Sequence, residues 1–192
     1  MKTLYLFCSL LSACALLPSC TTNDPVTGMI AANSSARKIN SDSRAALAHL
    51  YSTNPRARKL GSRAKGVLVF PNVTKAGFIV GGQVGQGALF RSDRQTAYYQ
   101  TTAVSYGLQA GAQKFGYALF LMNDDSLRQL YKSGGWEVGG SPSLVVIDEG
   151  ISGSLTTTTM KSGTYAVFFN QRGLMAGLGL QGTKITQISP EP

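Results

Sequence analysis

Cysteine is absent after position 20; Cys8, Cys14 and Cys20 are the only three in the 192 residues. A fold built from residues beyond Cys20 has neither a disulfide nor a thiolate ligand, so packing must hold it together. Histidine occurs once, as His49 on a predicted helix, where a surface position is its ordinary role. One histidine and no later cysteine argue against a zinc centre, which takes about four N, S or O ligands. They argue equally against a Ser–His–Asp arrangement, and Gly150-Ile151-Ser152-Gly153-Ser154 misses the spacing of a nucleophile elbow. The expectation is a protein that is not an enzyme and takes no cofactor or metal. Glycine, at 22 residues, follows no Gly-X-Y period, and 43% hydrophobic content is too high for a disordered chain. No apolar run reaches the roughly 20 residues that cross a bilayer as a helix.

Acidic residues are missing where basic ones collect. From Ser43 to Ser92 there is no acid and there are eight basic residues. Residues 1–92 hold eleven basic against two acidic residues, whereas residues 93–192 hold seven of each, so the whole excess of +9 sits in the first half. A basic balance of this kind suggests an anionic lipid surface or nucleic acid, or else a solvated face with no partner. The stretch lacks the interleaved aromatics of a single-strand-binding surface.

The N-terminus reads as an export signal. Lys2 supplies a positive start, and Leu4 to Leu11, extending toward Leu17, supplies the apolar segment. Two cysteines end lipobox-like stretches, Leu11-Ser12-Ala13-Cys14 and Leu17-Pro18-Ser19-Cys20. Cys20 is favoured as the lipidation site, because polar Thr21-Thr22-Asn23-Asp24 comes after it as a tether, whereas cutting at Cys14 leaves apolar Ala15-Leu16-Leu17. The expected organisation is a signal peptide over 1–19, a lipidated Cys and polar linker over 20–34, and one domain over 35–190. Several acyl chains at ~0.8 kcal/mol per buried CH₂ would anchor such a chain firmly. The expected location is the bacterial envelope, on the outer membrane facing the periplasm, where nucleic acid is not a partner.

Ser34 or Ser35 can cap a helix whose stripe runs Ala36, Ile39, Ser43, Ala46 and Leu50, with Leu47 and Tyr51 alongside. Asn54-Pro55 stops it and opens a second short helix, Asn54 as cap and Pro55 first. Residues 56, 59 and 63 would share a face of that helix. Twenty of the 22 glycines lie after Lys65, among β-rich runs at 66–70, 78–80, 95–108, 117–122, 143–147, 165–169 and 174–188. Glycine inside strands marks bulges, bends or close backbone approach. One helix interrupts this region near 124–133, capped by Asp124 or Asp125, with Leu127, Leu130 and Tyr131 as its apolar side and Gly134 ending it. The fold class is therefore α+β: a Gly-rich, curved antiparallel sheet or barrel with N-terminal helices and one short inserted helix.

Gly81-Gly82-Gln83-Val84-Gly85-Gln86-Gly87 has strand-like flanks on both sides, so it reads as a bent strand and not a nucleotide loop. Asp124-Asp125 caps a helix, Asp148-Glu149 closes an apolar run before Gly150, and Trp136 reads as a packing aromatic. Tyr98 and Tyr99 are expected to be exposed and open to a protein partner.

Several motifs, in order, carry a family resemblance. They are Ala64-Lys65-Gly66-Val67-Leu68-Val69-Phe70-Pro71-Asn72-Val73-Thr74-Lys75-Ala76-Gly77-Phe78, Gly81-Gly82 through Gly87-Ala88-Leu89, and Tyr106-Gly107-Leu108-Gln109-Ala110-Gly111. Gly135-Trp136-Glu137-Val138-Gly139, Asp148-Glu149-Gly150 and Gln171-Arg172-Gly173-Leu174-Met175-Ala176-Gly177 complete the set. Over roughly residues 36–188 the chain resembles the SYLF, or Ysc84-type, lipid-binding domain, and looks like its bacterial lipoprotein branch. Eukaryotic relatives bind phosphoinositides through a basic surface and an amphipathic N-terminal helix, and some bind actin. This chain lacks an SH3 or FYVE companion. The resemblance implies anionic phospholipid binding in general, with the stripe over Ala36–Tyr51 and the cluster over Arg56–Lys65 in the lipid role. The lipid-binding candidates are Lys38, Arg44, Arg56, Arg58, Lys59, Arg63, Lys65 and Lys75. The alternative is a structural or interaction protein that contacts another envelope protein.

Overall fold

The computed structural model describes residues 34–77, 80–106, 111–132, 134–138, 144–148, 163–173, 180 and 182–192. Helix α1 (Ala36–Thr53) starts where Ser35 Oγ accepts from the Lys38 amide, and the Ala36 amide donates to the Glu191 carbonyl at 2.7 Å. The C-terminal tail therefore fixes the start of α1. Asn54 ends α1 and opens α2 (Pro55–Gly61), its Oδ1 accepting from the Ala57 amide at 3.0 Å. Pro55, at the first helical position, has no N–H to leave unpaired.

The strands are β1 (Gly66–Gly77), β2 (Val80–Arg91), β3 (Arg94–Tyr106), β4 (Gly111–Leu121), β5 (Trp136–Glu137), β6 (Leu144–Asp148), β7 (Thr164–Gly173) and β8 (Thr183–Ile188), with α3 (Asp124–Leu130) after β4. They form one sheet in the order β5-β8-β3-β2-β1-β4-β7-β6. Seven strands run antiparallel, and five-residue β6 joins the edge parallel to β7. The two edge strands, β5 and β6, are not paired with each other, so the sheet is open and not a closed barrel.

Alternation along the strands gives two buried faces. On β1, Val67 and Val69 face the helices, whereas Leu68, Phe70 and Val73 face the other way. The helix-covered face takes Ile39, Leu50, Ala57 and Leu60 against Phe90, Phe120, Tyr165 and Phe169. The apolar stripe of α1 is thus spent on the sheet. The inner face is aromatic, with Phe70 and Tyr117 rings 4.9 Å apart and Phe168 5.6 Å from both Phe115 and Tyr117.

The sheet is strongly curled toward this inner face. Tyr117 on β4 donates its buried hydroxyl to Thr101 Oγ1 on β3 at 2.7 Å, although β1 and β2 lie between those strands. Three strand spacings would be about 14 Å in a flat sheet. Likewise α3, about 10 Å long at seven residues, packs against both β4 and β8, which are four places apart. Glycine permits the curl. A Cβ on Gly85 would sit 2.7 Å from Val73 and one on Gly87 2.1 Å from the Val69 carbonyl. Bulges add to it, one in β3 at Thr96 opposite Leu89 and Phe90, and two others. One extra residue in β1 falls between Val69 and Val73 against both neighbours, and Pro71 sits inside it, where a central strand can tolerate a missing N–H. The other, in β7, holds Asn170 at φ 54°.

Several expectations are corrected. The cap of α3 is Asn123, whose side chain accepts from the Ser126 amide at 2.8 Å, while Asp124 and Asp125 lie in the first turn and favour its positive end. Tyr131 is 54% exposed, because α3 stops at Leu130 and the tyrosine turns outward. Tyr99 is fully buried in the inner core and Tyr98 packs against the helix-side core, so neither is an exposed contact. Arg63 lies in the turn after α2 and not on the helix, since Gly61 ends it. Strands β1 and β4 are longer than their apolar runs, and β5 was not expected. Of the run expected over 174–188, the described strand is Thr183–Ile188; positions 174–179, like Phe78, Ile79 and Glu149, lie outside the described residues.

Tyr117→Phe removes the hydrogen bond to Thr101 Oγ1 and leaves that hydroxyl buried. Urea unfolding is expected to show a loss of about 1–3 kcal/mol with little change in the slope.

Candidate functional site

A cleft of about 440 Å³ opens where α1, α2 and one end of the sheet meet. Its apolar lining comes from Leu47 and Tyr51 of α1, Val67 of β1 and Phe90 of β2. Arg58 of α2 and Lys65, just before β1, supply positive charge, and Asp93 in the β2–β3 turn is the one acid in the lining. The result is a mixed cleft, with apolar side chains beside polar ones and two cations against one acid, which can accept an anionic group next to apolar surface.

Each wall has a local cause. Arg58 Nε donates to the Tyr51 carbonyl at 3.1 Å, tying α2 to the last turn of α1. Tyr51 lies against Gly61, where an added Cβ would come within 2.0 Å of its hydroxyl; glycine is needed for that close approach. Burial, helped by nearby Asp93, pushes the Tyr51 phenol up to about 12. Ser92 and Asp93 form a two-residue hairpin with positive φ at both positions, 46° and 61°. Arg44 borders that turn, its guanidinium carbon 5.3 Å from the Phe90 ring centroid and Nη1 3.3 Å from the Asp93 carbonyl. Lys65 Nζ reaches Asp124 Oδ2 at 2.7 Å, and this pairing holds the Asp124 carboxyl below its usual range.

The eight basic candidates therefore divide. Arg58 and Lys65 line the cleft, and Arg44 packs beside it on Phe90. Arg56 and Lys59 are exposed on α2 and Arg63 is exposed just after it. Lys38, one turn into α1, is paired with Asp42 at 2.7 Å. Lys75 belongs to a different place altogether, the inner face of β1, two residues beyond Val73. Cys20 lies outside the described residues. His49 is exposed, Trp136 is buried in the inner core, and Gly81–Gly87 lies within β2. Among the described residues no group of three or more His, Cys, Asp and Glu could hold a metal ion, and no helix is long and apolar enough to cross a membrane.

Residues 102–191 match the Ysc84 family model, described as Las17-binding protein actin regulator. Over this segment the chain is similar to the Ysc84 family. The segment runs from the middle of β3 to the C-terminal tail and so includes β4, α3 and the strands on both edges. No curated protein matches the chain. The Ysc84 match covers only part of the resemblance seen over 36–188: α1, α2, β1 and β2 precede it. All the basic candidates, and every cleft residue, lie in that preceding half. The Ysc84 segment nevertheless supports them, because β4 pairs with β1, β3 with β2, and Asp124 holds Lys65.

Sequence reasoning placed Arg58 and Lys65 but missed Leu47, Tyr51, Phe90 and Asp93 as parts of the same site. Leu47 and Tyr51 read as core stripe, and the only sequence signal at Asp93 is that it ends the acid-free stretch.

Two outcomes test the cleft. Gly61→Ala must displace the Tyr51 ring, and should lower stability by about 1–3 kcal/mol as an overpacked site. The second concerns alkali. The folded-state value for Tyr51, about 12, lies above the ordinary 10.0, so its stabilising effect is complete below pH 10 and is lost as pH rises toward 12. Tyr99, also raised to about 12, acts in the same direction. Denaturation from pH 9 to 12 should therefore show falling stability, with a shallower fall for Tyr51→Phe.

Proposed function

We propose that this protein is an envelope-anchored lipoprotein, held by lipid on Cys20, whose basic helical region binds anionic phospholipid headgroups and which performs no catalysis. The observation that supports the reading is the cleft: an apolar lining from Leu47, Val67 and Phe90 beside Arg58 and Lys65. Exposed Arg56, Lys59 and Arg63 extend the positive surface outward from it. A headgroup phosphate at the cleft would compete with Asp124 for Lys65. Both members of that pair are largely exposed, so the exchange costs little. With the stripe of α1 packed on the sheet, the membrane contact is made by charge at the surface and not by insertion of that helix. Lipid on Cys20 would place the domain near one leaflet, and the outer membrane facing the periplasm is the location we favour. The binding is reversible and sensitive to salt, since charges at an exposed surface are screened beyond roughly 8 Å at physiological ionic strength.

Vesicle co-sedimentation of a Cys20→Ser form tests this. Each basic residue near an anionic surface contributes about 1 kcal/mol, so joint Arg56→Glu, Lys59→Glu and Arg63→Glu should weaken binding to phosphatidylglycerol vesicles by about 100-fold or more. Equal binding to neutral phosphatidylcholine vesicles, or no effect of the triple reversal, would sink the headgroup reading. Recurrent cross-linking in cells to one envelope protein would favour the interaction-protein alternative.

A further inference from the structure

A second polar site lies on the opposite face of the sheet from the helices. Lys75 is directly opposite Gln83 on β2 and Gln113 on β4, and Gln83 is opposite Ala103 on β3, which is opposite Thr183 on β8. Residues directly opposite one another share a face, so Thr183, Ala103, Gln83, Lys75 and Gln113 form one row across five strands. The face is the inner one, because Val73 and Phe115, each two residues away and opposite each other, belong to the inner core.

The row is polar where its neighbours are apolar, and it is unsatisfied. Gln83 and Gln113 are only 6% and 5% exposed and Thr183 is fully buried. Yet Gln83 Nε2, Gln113 Oε1 and Thr183 Oγ1 have no hydrogen-bond partner. Buried amide atoms without partners are costly and rare, and the two glutamines that carry them lie directly opposite one lysine in the strand register. On the strand-end side the next row is Gly77, opposite both Gly81 and Gly111. On the other side Val73 and Phe115 form an apolar back wall. No carboxylate occupies the polar row or the rows adjoining it on β1, β2 and β4.

We propose that this row binds a small phosphate ester carrying a neighbouring hydroxyl, the chemistry of glycerol phosphate. Lys75 balances the anionic charge, the Gln83 amide donates to a phosphate oxygen, and the Gln113 carbonyl accepts from the hydroxyl. Lipid headgroups and free polyol phosphates both present these groups. The site is independent of the helical cleft, because the sheet separates the two.

The test uses the full chain with Cys20→Ser, ¹⁵N-labelled, and follows the glutamine side-chain amide signals, assigned by their loss in Gln83→Leu and Gln113→Leu. The probes are glycerol 3-phosphate, short-chain phosphatidylglycerol below its micelle concentration, and glycerol. Saturable shifts of both amides with either phosphate probe are expected. Response to the free ester points to a soluble ligand, and response to the lipid alone points to a headgroup; either supports the site. Lys75→Met should weaken the response by about tenfold or more, as loss of a charge-assisted contact does. Should Lys75→Met fail to fold by thermal melting, Lys75→Gln carries the same test. The Arg56, Lys59 and Arg63 reversals should leave these shifts unchanged, which separates this site from the cleft. The proposal is overturned if neither phosphate probe shifts the amides, if glycerol shifts them equally, or if removing the Lys75 charge changes nothing.

Discussion

The rest of the molecule depends on the curl of its sheet, and the Tyr117–Thr101 hydrogen bond shows how tight that curl is. A phenol on β4 reaches a threonine on β3 across the inner face, over β1 and β2. Only a bent sheet brings them together. The bend gives the inner face enough depth for a stack of Phe70, Phe115, Tyr117 and Phe168, and one end is filled by Leu127 and Leu130 of α3. It also leaves the outer face convex, and a convex surface is what two helices can wrap. Gly85 and Gly87 make the bend possible by removing side chains where β2 comes closest to β1. The bulge that holds Pro71 bends the central strand at the same level.

This architecture divides the charge. Helices α1 and α2 bury Ile39, Leu50, Ala57 and Leu60 on the convex face and turn other positions to water, among them all of their arginines and lysines. Lys65 stands at the junction, between the cleft and α3, and its pairing with Asp124 links the helical layer to the Ysc84 segment. The matched segment thus pairs with the strands that follow the basic helices and holds one of the lysines.

How much of this was legible in the sequence varied with the range of the interaction. Short-range features were readable. Ser35, Asn54 and Pro55 act where their chemistry says they should, because capping involves only three or four consecutive residues. A curved antiparallel sheet or barrel was readable from glycine inside strand-like runs, and the choice of an open sheet came only with the strand order. The cap of α3 was misplaced by one residue because Asn123, Asp124 and Asp125 are all competent caps, and only the docked position of the helix selects among them. Tyr99 was misjudged because a polar-looking strand, Arg94 to Tyr106, turns this residue into the inner core, which elements distant in sequence complete. The cleft joins three separate segments, and no spacing rule brings Leu47, Val67 and Phe90 together.

The inner polar row shows where that limit could have been passed. Lys75 and Gln83 sit symmetrically about the connection between β1 and β2, as do Ala76 with Gly82 and Gly77 with Gly81. Once the hairpin is recognised, the pairing comes from counting outward from its turn. What counting along β1 alone gives is the wrong face, because the bulge at Pro71 inserts one residue and reverses the alternation. Without it, Lys75 would share the helix-covered side with Val67 and Val69; with it, Lys75 shares the inner side with Val73. A single extra residue in one central strand therefore carries a basic side chain from the convex surface, where its charge would add to the others, to the concave one, where it stands between two buried amides.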